Sequence, residues 1–194
     1  MQKHLFLTGK TGCGKSLAIR ETLGERLQTA GGFVSQTMRD PGGGALCRSL
    51  LPAAAAGGVE GFEPLPYLDL RCVPPMHDNE VLRTEGVRLL QESAWYPYAV
   101  LDPIGSFELL IPQFRAALAE LLNSEVPIVG VLLPQKEAES VCSRLGLGER
   151  VKLNIAQLWK ALRADPDTLI LDASGLHRKR TLRLLEAWAE EYAG

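Results

Sequence analysis

Residues 9–16 read Gly9-Lys10-Thr11-Gly12-Cys13-Gly14-Lys15-Ser16, and no other stretch restricts the possible folds so strongly. They follow a short apolar run, His4 to Thr8, and precede a stretch from Ser16 to Leu27 that reads as a helix. The spacing is that of a phosphate-binding loop, G-x-x-x-x-G-K-[ST]. Glycines let the backbone curl so that successive N–H groups face inward, and the following helix adds its positive end. The candidate phosphate contacts are therefore Gly9, Lys10, Thr11, Gly12, Cys13, Gly14, Lys15, Ser16 and Leu17. Lys15 reaches the β- and γ-phosphates, and the Ser16 hydroxyl is placed to hold Mg²⁺.

The rest of the chain alternates apolar runs with helical stretches. Strands are expected at Phe33–Gln36, Tyr98–Leu101, Ile128–Leu132 and Thr168–Leu171. Helices are expected from Asp78 or Asn79 to about Ala94, over Pro112–Leu122 and Gln135–Leu145, from an Asn154 cap over Ile155–Ala164, and over His177–Tyr192. That order predicts one α/β domain spanning 1–194, with a mostly parallel sheet flanked by helices. A Gly/Pro-rich, β-hairpin-like insert interrupts it at about 40–75. Leu46–Leu51 and Tyr67–Val73 are its candidate strands, and Ala53–Gly61 reads as a mobile loop.

Composition removes several classes of function. The 194 residues carry 21 Lys+Arg against 23 Asp+Glu, a net charge of -2, so no basic footprint for general nucleic-acid binding exists. The longest apolar run, Val126 to Leu133, is far shorter than the ~20 residues of a membrane span. The start does not read as a secretory signal. Four scattered cysteines without metal-ligand spacing suit a reducing cytoplasm.

A Mg²⁺-nucleotide site needs an acid at the end of a second strand. Asp102, after Tyr98–Leu101, is the best placed, and Asp172, after Leu169–Leu171, is its rival. Together with the loop, Gly31–Arg39 (GGFVSQTMR) and Leu101–Leu109 (LDPIGSFEL) followed by Phe114 resemble the cancer-related nucleoside-triphosphatase family. The family's second segment reads roughly G-F-x-T-x-E-[IV]-R, and Gly32, Phe33, Ser35 and Arg39 fit it. Its third reads roughly D-E-I-G-x-M-E-L, fitted by Asp102, Ile104, Gly105, Glu108 and Leu109. The resemblance implies a P-loop NTPase fold, a nucleoside triphosphate such as ATP or GTP as substrate, and Mg²⁺ held by Ser16 and Asp102. Lys15, Arg39 and Glu108 are the catalytic candidates.

Two departures bear on catalysis. Pro103 stands where the family has the Glu that activates water, and a proline accepts no proton. Thr37 stands where the second segment has its Glu. Glu108 is left to position water, or else it only favours a helix start. The last forty residues diverge further. Asp-Ala-Ser at 172–174 and a terminal helix are similar to the closing element of nucleoside and nucleotide kinases, and His177, Arg178, Lys179, Arg180 and Arg183 form a basic segment there. Slow hydrolysis, a non-catalytic nucleotide switch and a small-molecule kinase all stay open at this level.

Overall fold

The structure is a computed structural model that describes residues 1–174 and 178–194. Its centre is an eight-stranded sheet in the order β5-β4-β3-β2-β6-β7-β1-β8. The strands are β1 (His4–Thr8), β2 (Gly31–Arg39), β3 (Ala45–Pro52), β4 (Leu65–Asp69), β5 (Met76–His77), β6 (Ala99–Ile104), β7 (Ile128–Leu132) and β8 (Thr168–Asp172). Five of them, β2, β6, β7, β1 and β8, pair in parallel. The insert supplies β3, β4 and β5, which extend the sheet antiparallel from β2. The expected hairpin-like insert is thus part of the main sheet.

The central strands β1 and β7 are buried along nearly their whole length because both faces of the sheet are covered. Along β1, Leu5 and Leu7 pack on one face with Ile19, Leu185 and Trp188. Phe6 packs on the other with Leu101, Phe114, Ile155 and Trp159. The first face carries α1 (Lys15–Leu23) and α8 (Arg178–Tyr192), and the second carries α5 (Pro112–Leu122), α6 (Gln135–Arg144) and α7 (Glu149–Ala164). Among the described residues no helix is long and apolar enough to cross a membrane.

β7 runs very close to β6. A Cβ on Gly130 would lie 2.3 Å from the Leu101 carbonyl oxygen. The β6–β7 register slips between Leu101 and Ile104, where the chain passes through Asp102 and Pro103. Proline has no N–H for a ladder, and β2 pairs with β6 only as far as Asp102. β6 nevertheless continues to Ile104, past its expected end at Leu101.

Four other expectations are corrected. The Ser16–Leu27 helix stops at Leu23, where Gly24 leaves helical geometry and a 3₁₀ turn follows over Gly24–Thr29. Ala53–Ala56, read as part of a mobile loop, forms a short helix, α2, with Ala53 and Ala54 buried. The residues are small because the backbone docks closely on that 3₁₀ turn: a Cβ on Gly57 would sit 2.7 Å from the Leu27 Cβ. Residues 79–92 are helical but change pitch, with α3 (Asn79–Val81), a π turn over Leu82–Gly86 and α4 (Val87–Glu92). Asp78 caps this stretch by accepting from the Glu80 N–H. Asn154 is no cap, since α7 begins at Glu149; its side-chain amide donates to the Leu109 carbonyl at 2.9 Å. Of the basic terminal segment, His177 lies outside the described residues.

Candidate active site

β1 ends at Thr8 inside the sheet, between β7 and β8, so the loop that follows emerges at the carboxyl edge. That edge is where open α/β sheets bind ligands. Gly9, Gly12 and Gly14 have φ of 123°, 82° and 87°, which only glycine adopts without strain. The curl they permit brings the Lys15 ammonium back over the loop, where it donates to the Gly9 and Lys10 carbonyls at 2.6 and 2.8 Å. Lys15 is buried, and the Cys13 Sγ lies 3.7 Å from its Nζ. Leu17, the third residue of α1, is 48% exposed.

Ser16, at the start of α1, faces Asp102 across the sheet edge. Its hydroxyl donates to Asp102 Oδ1 at 3.0 Å. Asp102 is buried, and desolvation raises its pKa from the ordinary 3.8 to about 6. The Ser16 hydrogen bond and the charges of Arg20, Lys15 and Arg48 oppose that rise without cancelling it. Asp172, the rival acid, instead closes the turn after β8: its Oδ1 accepts from the Ser174 N–H and hydroxyl at 2.8 and 2.6 Å.

Glu108 lies in a 3₁₀ turn, Phe107–Leu110, directly after β6. Its Oε1 accepts from the Gly105 and Ser106 N–H groups at 2.6 and 2.8 Å. Burial raises its pKa, and those amides pull it down. Glu108 and Pro103 line a cavity of about 310 Å³ that opens beside the loop at Thr11. Thr37 and Arg39, from the end of β2, line its opposite wall. Arg39 donates to the Gly43 carbonyl at 2.8 Å. The structure thus gathers Lys15, Ser16 and Asp102 at one point, with Arg39 and Glu108 around the adjoining cavity.

Two contacts to the loop were not foreseen. Glu137, in the first turn of α6, accepts from the Thr11 N–H and hydroxyl at 3.2 and 2.7 Å. Arg178, in the first turn of α8, donates to the Cys13 carbonyl at 2.7 Å. The basic terminal segment gave a signal for Arg178. Glu137 had none beyond its place just after the end of a parallel strand.

A glycine-curled loop on a central parallel strand, with a seryl hydroxyl set against an acid two strands away, defines a P-loop NTPase fold. A crystal structure of THEP1 from the hyperthermophile Aquifex aeolicus has the same fold: the TM-score is 0.58 at 16% identity, over 94% of this chain and 96% of that one. The nucleoside-triphosphatase THEP1 of Thermotoga sp. (strain RQ2) is 30% identical over 134 residues, covering 66% of this chain and 72% of the relative. THEP1 of Thermotoga maritima is 28% identical over 134 residues, with the same shares covered. No protein-family model matches the chain. The chain belongs to the THEP1 nucleoside-triphosphatase family, as the three sequence segments implied.

Proposed function

We propose that the protein binds a nucleoside triphosphate with Mg²⁺ and slowly hydrolyses it to the diphosphate and phosphate. The observation that carries this reading is the Ser16–Asp102 contact beside the buried Lys15. Magnesium suits these groups, because both donors are hard oxygens and the desolvated carboxylate gains most from a nearby cation. Few protein ligands are needed, since phosphate oxygens and water complete the shell of such sites. Bound there, the ion would neutralise charge on the β- and γ-phosphate oxygens.

The chain's own groups do the remaining work. The loop amides between Gly9 and Ser16, with Lys15, bind the phosphates and stabilise charge as the terminal phosphoryl group is transferred. Arg39 reaches the same charge from the far wall of the cavity. Glu108 positions water through the oxygen not engaged by the Gly105 and Ser106 amides. Pro103 contributes no proton acceptor, so turnover is slow. The free thiols suit a cytoplasmic setting.

Phosphate release from ATP, GTP and CTP, measured with Mg²⁺ and again with EDTA, tests this reading. Release is expected to need the metal and to vanish in Lys15→Ala. A nucleotide-induced thermal shift with no release over hours would refute hydrolysis.

A further inference from the structure

The cavity beside the loop is lined by three arginines against two glutamates. Arg39, Arg48 and Arg144 line it, from β2, β3 and the last turn of α6. None of these guanidiniums forms an ion pair among the described residues. The two carboxylates of the lining are already engaged, Glu108 by backbone amides and Glu137 by Thr11. Tyr67 and Phe107, whose ring centroids are 6.0 Å apart at an interplanar angle of 33°, supply an aromatic part of the wall. At about 310 Å³ the space is at the lower end of small-molecule sites, which run from roughly 300 to 1,000 Å³.

The position of this cavity matters as much as its charge. It shares Thr11 with the phosphate loop and Pro103 with the segment that carries Asp102. A ligand in it lies next to the terminal phosphate of a triphosphate in the loop. Water or an alcohol attacking that phosphate must lose a proton to a base, and Pro103 is not one. A phosphate monoester, with its second pKa near 6, is already mostly dianionic at neutral pH and has no proton to lose. Guanidiniums without a carboxylate partner recognise phosphate oxygens through paired hydrogen bonds of fixed geometry.

We propose that this cavity is an acceptor subsite for a phosphate monoester with a flat body, a nucleoside monophosphate, and that the protein transfers the terminal phosphoryl group to it. An oxygen of the monophosphate forms a bond to the γ-phosphorus as the bond from that phosphorus to the β–γ bridging oxygen breaks. The bridging oxygen keeps the electron pair and leaves on the nucleoside diphosphate. The acceptor becomes a second diphosphate, so total charge is conserved without proton transfer. This rests on triphosphate binding in the loop as proposed above, with hydrolysis as the slower reaction with water.

The test is transfer of label from γ-³²P-ATP to AMP, GMP, CMP or UMP, with ribose 5-phosphate as the non-flat control, resolved by thin-layer chromatography. A labelled nucleoside diphosphate, formed at least tenfold faster than phosphate is released without acceptor, is the expected result. Arg144→Ala should raise the KM for the monophosphate at least tenfold relative to the KM for ATP. Label found only in inorganic phosphate, while ATP still gives a thermal shift, overturns the acceptor subsite alone. Transfer that Arg144→Ala leaves unaltered also overturns it. No thermal shift with ATP overturns the loop reading and this one together.

Discussion

Asp102→Asn should make the protein more stable and inactive at once. Asp102 titrates at about 6 in the fold against the ordinary 3.8. Between those values the folded chain holds a proton that the unfolded chain has released, so stability falls as pH rises through the window. At ~1.4 kcal/mol per pH unit, the full cost above pH 6 is about 3 kcal/mol. Asparagine has the same shape, still accepts from the Ser16 hydroxyl, and carries no charge to desolvate. In a chain of this size that difference corresponds to about 6–12 °C in Tm at neutral pH. Denaturant unfolding of both proteins in metal-free buffer, from pH 4 to pH 8, is the assay. The two curves should meet near pH 4 and separate as pH rises, with the variant above. A pH-independent gap would refute the reasoning, for it would mean that Asp102 is not desolvated. Mg²⁺-dependent phosphate release should be lost in the same variant.

Restoring a base by Pro103→Glu should raise phosphate release by about tenfold or more, since a positioned base contributes ~10²–10⁴ in favourable cases; an unchanged steady-state rate would show that water is positioned elsewhere. Glu137→Gln removes a negative charge bonded to Thr11, and should tighten triphosphate binding by about two- to fivefold in low salt, with the difference closing at high salt. Titration by calorimetry at two ionic strengths would show it. Gly130→Ala places a methyl group where the Leu101 carbonyl stands, and should cost about 1–3 kcal/mol in denaturant unfolding by forcing β6 and β7 apart.

Much of this was legible because it is local. The loop and its helix are adjacent in the chain, and α5 and β7 occupy the spans that their apolar patterns predict, Pro112–Leu122 and Ile128–Leu132. Asp102 could be singled out because four apolar or aromatic residues lead into it. What could not be read depends on distant partners. Asn154 looks like a cap until Leu109, forty-five residues away, is seen to take its amide. Glu137 meets Thr11 across 126 residues. The alanines of α2 resemble a loosely structured stretch, yet they are small because another turn packs on them. For Glu108 the position was evident, while its bonds to Gly105 and Ser106 depend on a 3₁₀ turn that no periodicity marks.

The strand β2 is anchored unevenly. Its residues 31–34 pair with β6, and Phe33 and Val34 pair with β3 as well. From Ser35 to Arg39 it is held by β3 alone. Mechanically this is a cantilever, with its root at Val34 against Asp102 and its tip at Arg39 over the cavity. That root lies beside Asp102, next to the Asp102–Pro103 bond. The acid at the centre of the site and the arginine at its rim therefore sit on neighbouring strands, linked through the pairing of Val34 with Asp102.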